Sequence, residues 1–159
     1  MAVLEPALGR LASMLGDCLL GLDKPLSAVI TQGARLSDFS GGYDLFVALS
    51  SITGAPPPAP LSCRALLLPG DATVERLSQI SSKWATSFGL SAKDSITVSS
   101  LGPTCAVLAL QRELITLDGL IIEQQELPLP IPHTASAPEM MALYGSLLLL
   151  GVPPERLTV

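Results

Sequence analysis

The chain has 159 residues, of which 48% are hydrophobic, 14% charged and 4% aromatic, and 9 basic against 14 acidic side chains leave a net charge of −5. That balance excludes a nucleic-acid binder, which needs clustered Lys and Arg to neutralise phosphates, and the aliphatic content excludes a disordered chain. Three cysteines are too few for a disulfide-stapled secreted module, and no apolar stretch approaches the ~20 residues that span a bilayer.

A chain of ~150 residues buries about 68–70% of its unfolded surface, so one globular domain over residues 1–159 is expected. Its first residues, MAVLEPALGRLASMLGDCLLGL, are interrupted by Glu5 and Asp17 and are periodic rather than continuous in apolar character. They read as part of the mature fold rather than as a signal peptide. Leu4, Leu8, Leu11, Leu15 and Cys18 recur at helical spacing, which predicts an amphipathic helix over residues 4–20. Residues 27–31 form a short apolar run and predict a strand, and 32–42 a loop holding one helical turn. The run YDLFVAL predicts a second strand over 43–49. Residues 50–60, SSITGAPPPAP, are a Pro-rich surface connection, because three successive prolines fit neither a helix interior nor a central strand.

CRALLLPG (63–70) predicts a buried strand, and Asp71 then stands where an N-cap would open a helix. The stripe of that helix is Val74, Leu77, Ile80, Trp84 and Phe88, with Gly89 as its C′ residue. Residues 95–101 alternate with period two and predict a half-buried strand. A long strand follows over 105–117, with a bulge near Gln111 and Arg112, and Asp118-Gly119 predicts a hairpin returning through 120–127. LPLPIPH (127–133) carries proline at every second position and must lie on a sheet edge or leave the sheet. Ser136 and Glu139 form a capping box with Pro138 in the first turn, opening a hydrophobic C-terminal helix over 138–150. The order predicts an α/β layered sandwich with a mixed sheet and flanking helices. Its parallel βαβ part runs from 63–70 to 95–101, and its antiparallel meander is C-terminal.

Chemistry is sparse. The loop SDFSGGYD (37–44) places its glycines before a strand, so it is a turn and not a phosphate cradle, which needs a helix behind it. His133 is the sole histidine, and no two cysteines are close in sequence, so no metal site of His or Cys ligands is expected and no cofactor is evident. Cys18, Cys63 and Cys105 read as structural thiols in a reducing cytoplasm. Arg112 is expected to pair with a glutamate of 123–126 across the hairpin.

Two functional readings follow. The first is association, as a homodimer or an accessory subunit. Few charges are available to cover the surface, and the terminal helix is apolar all round, which nominates Met140, Met141, Tyr144, Leu147 and Leu148 as an interface. The second is a small enzyme or ligand-binding domain at the carboxyl ends of the strands. There Gly33, Asp38, Gly70, Asp71 and Thr73 would hold a polar metabolite, or the two aspartates a divalent cation.

Overall fold

The computed structural model describes residues 1–7, 9–22, 26–49, 55–72, 78–132 and 135–157. The chain opens on a three-residue strand, β1 (Ala2–Leu4), rather than on a helix. Helix α1 (Leu11–Gly21) begins seven residues later than its apolar spacing predicts, and Leu11, Leu15 and Leu19 form its buried face. Strand β2 (Thr31–Gly33) follows, then a single 3-10 turn over Leu36–Asp38. Both β1 and β2 are parallel neighbours, so β1–α1–β2 is a βαβ crossover that the sequence pattern concealed.

Gly41 turns the chain into β3 (Gly41–Ala48) with φ +82°, a backbone conformation that side chains with a Cβ resist. Next come β4 (Leu61–Pro69) and β5 (Ile80–Phe88). The latter overturns the predicted helix over Ile80–Phe88. Ile80, Ser82, Trp84, Thr86 and Phe88 alternate with the more exposed Ser81, Lys83 and Ala85, and this segment pairs in parallel with β4 from Leu61↔Ile80 to Pro69↔Phe88. The first residues of the predicted helix, 73–77, lie outside the described residues.

Strands β6 (Ile96–Leu101), β7 (Cys105–Leu110) and β10 (Gln125–Pro130) complete an eight-stranded sheet of order β10-β7-β6-β5-β4-β3-β1-β2. It is parallel from β2 to β6 and antiparallel from β6 to β10, the mixed sheet expected. The alternating prolines behave as their chemistry requires. Strand β10 is an edge, with Pro128 and Pro130 exposed and Leu127 and Leu129 turned inward. The long strand expected over 105–117 breaks after Leu110. Its distal part forms a separate hairpin, β8 (Leu114–Ile115) with β9 (Ile121–Ile122), through a turn in which Gly119 has φ +83°. Arg112 pairs with no glutamate there and donates to the Lys93 carbonyl instead.

One face of the sheet packs Val3, Leu45, Val47, Ala65, Leu67, Ile96 and Leu108 beneath both helices. The other buries Ala2, Leu4, Phe46, Ala48, Leu66 and Leu68 with Leu36 and Phe39 from the 3-10 turn, where Phe39 meets Phe46 edge-on at 5.1 Å. Helix α2 (Ala137–Leu149) opens on the predicted capping box. Ser136 N–H donates to Glu139 Oε2 at 2.8 Å, and the Glu139 amide donates back to Ser136 Oγ at 3.4 Å.

The uncovered face expected on this helix is absent. Met140, Met141, Tyr144, Leu147 and Leu148 are 1%, 1%, 5%, 1% and 0% exposed within the single chain. Helix α2 rests on β3 to β6, packs against α1 and touches β8. Its C-terminal end is tied by a hydrogen bond from Leu117 N–H to the Leu149 carbonyl, and its middle by one from Tyr144 Oη–H to the Pro130 carbonyl. A helix apolar all round is covered all round, and here its own chain covers it. No described helix is long and apolar enough to cross a membrane.

Candidate functional site

Strands β4 and β5 deliver glycines to their carboxyl ends, Gly70 and Gly89. The Gly70 amide donates to the Phe88 carbonyl (2.9 Å) and the Gly89 amide to the Ile96 carbonyl (3.0 Å), so both are used within the sheet. The chain then makes a tight turn, in which Asp94 N–H donates to the Ser91 carbonyl (2.9 Å) and Ser91 N–H to Asp94 Oδ2 (3.0 Å). This turn folds the Asp94 carboxylate back over the two glycines. A Cβ at position 70 would lie 1.7 Å from Asp94 Oδ1, and one at position 89 would lie 2.4 Å from Oδ2. Neither glycine has positive φ. They are needed because the carboxylate occupies the space of their missing side chains.

Asp94 is 4% exposed, and its Oδ1 has no hydrogen-bond partner among the described residues. It borders a cleft of about 620 Å³ at the carboxyl ends of β3, β4 and β5. The walls are mainly apolar, from Leu49, Pro69, Phe88, Leu90, Pro138 and Met141, and Asp71, Ser91 and Asp94 supply polar groups. The first turn of α2 closes one side. In an open α/β sheet this is the edge at which ligands gather, near where the connections change direction. Here that point lies between β1 and β3, since β1 leads to β2 on one side while β3 to β6 extend on the other.

The anion site that a βαβ unit offers at its helix N-terminus is already filled. Glu5, 1% exposed, accepts hydrogen bonds from Leu11 N–H (2.8 Å), Ala12 N–H (3.0 Å) and Gln32 Nε2 (2.9 Å). Its carboxylate stands where a phosphate would sit and satisfies the amides that would hold one. Arg10 is engaged at the same end of the molecule by Glu139, at 3.3 Å.

Of the residues nominated from sequence, Gly70 and Asp71 line the cleft. Gly33, the last residue of β2, and Asp38, in the connection from β2 to β3, lie apart from it. Asp38 Oδ2 accepts from Arg35 N–H (2.9 Å) and Ala34 N–H (3.0 Å). The Arg35 amide, with the Ala34 amide and the Arg35 guanidinium, holds the Asp38 carboxyl below its usual range. Gly33 is small because its backbone lies against the Phe39 ring, 2.7 Å from where a Cβ would stand. The structure therefore does not bring Asp38 and Asp71 into one cation site, and no group of three or more metal-ligating side chains exists among the described residues. Thr73 and His133 lie outside the described residues. Ser91 and Asp94 were missed, although S-x-x-D directly after a strand is itself a turn signal.

The cysteines carry no site. All three are free, and burial pushes the Cys63 thiol up to about 11. No family model matches the chain, and no curated protein or solved structure is similar to it.

Proposed function

We propose that the chain is a small-molecule-binding α/β domain working through the cleft at the carboxyl ends of β3, β4 and β5. The observation that carries this reading is the placement of a nearly buried carboxylate, Asp94, in an apolar-walled cleft of about 620 Å³. Ligand sites are concave and mostly apolar, with a few fixed polar groups, and this one fits the pattern. Amide NMR spectra recorded against a panel of polar metabolites, nucleotides and Mg²⁺ test it. Binding here moves the resonances of Gly70, Asp71, Gly89, Ser91 and Asp94 together, and Asp71→Ala alters that response. A panel that leaves this set unmoved overturns the reading.

Association, as a homodimer or an accessory subunit in a reducing cytoplasm, is the second reading. Its support has moved from α2 to the surface beside α1. Leu20 is 74% and Val29 82% exposed there, along a shallow groove of about 410 Å³. Light scattering on the purified chain decides it. A monomer that stays soluble at high concentration argues against self-association, and a dimer supports it.

A further inference from the structure

We infer that the cleft takes a small organic cation, a primary or secondary ammonium group on an apolar body. The inference rests on the cleft being the working site and specifies what it selects. The argument begins with charge. Asp71 and Asp94 are the ionisable side chains lining the cleft, and neither is ion-paired with a described residue. Among the described residues of the cleft an anionic ligand would meet two carboxylates and no cation.

The second step is the state of Asp94. A buried carboxylate is stable when its oxygens are hydrogen-bonded and its charge is balanced. Here Oδ2 has a single amide donor, from Ser91, and Oδ1 has none among the described residues. The neighbouring amides of Gly70 and Gly89 cannot turn toward it, since each is bonded across the sheet. A turn-capping aspartate would do its local work through Oδ2 alone. The open Oδ1, held in place by two glycines, is a preformed acceptor for an N–H⁺ donor, and a charge-assisted bond of this kind is roughly twice as strong as one between neutral groups.

The third step separates an ammonium group from a metal ion. Calcium takes six to eight oxygen ligands and Mg²⁺ demands a near-octahedral shell. Two carboxylates and a serine are too few for calcium, and a Mg²⁺ ion that keeps its waters makes no use of Leu49, Phe88, Leu90 and Met141, whereas those walls suit a hydrocarbon body.

The test is a matched series on the full chain: hexylammonium, hexanol, hexanoate and Mg²⁺, each titrated by calorimetry and amide NMR. Hexylammonium is expected to bind most tightly and to move the Gly70, Gly89 and Asp94 amides. Asp94→Asn should weaken it at least about tenfold, with hexanol unaffected. Asp71→Asn, at an exposed position less demanding for folding, should weaken hexylammonium to a smaller extent and leave hexanol unchanged. Hexanol or hexanoate binding as well as hexylammonium, with both variants silent, overturns the cation assignment while leaving the cleft as a ligand site. Mg²⁺ binding in place of the amine overturns the organic cation. If no member of the series moves a cleft amide, the cation assignment falls; the broader panel then decides separately whether the cleft binds ligands at all.

Discussion

Truncating Leu148 to Ala separates a core helix from an interface helix. Leu148 is 0% exposed and belongs to the cluster that joins α2 to the sheet and α1. Removing three buried carbons forfeits about 2.4 kcal/mol of transfer free energy at ~0.8 kcal/mol each. Helix on one side and sheet on the other limit how far the site can collapse, and the remaining cavity adds about 1–2 kcal/mol. The expected loss is therefore about 3.5–4.5 kcal/mol. Urea unfolding followed by circular dichroism reads this as a midpoint lowered by more than about 1 M, for a slope of ~2 kcal/mol/M. Because the covering groups belong to the same chain, the difference in midpoint between the two proteins should not change over about a hundredfold range of concentration. A loss below about 1 kcal/mol, or a loss that changes with protein concentration, refutes the assignment of α2 to the core of one chain.

Three further outcomes are expected. Glu5→Ala removes the acceptor of three hydrogen bonds and strands two amides at the start of α1, so stability should fall by about 2–4 kcal/mol in the same urea assay. Glu139→Gln should change the pH profile of stability. Burial raises the Glu139 carboxyl, but the Ser136 amide and hydroxyl and the Arg10 guanidinium together outweigh it and bring it below its ordinary 4.5. A depressed folded value stabilises the native state above the unfolded value and is lost as pH falls through the folded one, so wild type should lose its advantage over the variant below about pH 4.5. In native protein at pH 8, iodoacetamide should label the exposed Cys105 and spare Cys63. At about 11 the Cys63 thiol has roughly one part in a thousand as thiolate, and peptide mass spectrometry distinguishes the two sites.

The error over residues 80–88 has a definite cause. Ile80, Trp84 and Phe88 are spaced by four, which fits one face of a helix and equally one face of a strand, since four is also a multiple of two. The β-branched and aromatic residues of ISSKWATSF (Ile80, Trp84, Thr86 and Phe88) favour a strand, but they do not outweigh a spacing compatible with both. The N-terminal misreading is of a different kind. A three-residue strand such as Ala2–Leu4 carries too little periodicity to register, and only its parallel partners Thr31–Gly33 and Phe46–Ala48 define it. The candidate site was half legible for the same reason. Gly70 and Asp71 follow an unmistakable buried strand. Ser91 and Asp94 follow the segment assigned to the wrong element, so the turn that brings Asp94 over Gly70 was hidden.

Local chemistry by itself determined several features. The capping box of α2, the hairpin turn at Gly119, the edge position of Pro128 and Pro130 and the buried run of β4 are each set by neighbours within a few residues. Composition determined a core rich in aliphatics with little charge, and the order of elements its α/β layering. Tertiary structure alone decided what covers that apolar surface, and it placed α2 beneath its own chain. It also decided which carboxylates are satisfied. Glu5 and Asp38 find backbone donors, whereas Asp94 is left with an open oxygen in a cleft. Hydrophobicity is a property of a segment, but burial and hydrogen-bond satisfaction depend on which distant segments arrive beside it, and neither is encoded at a single position.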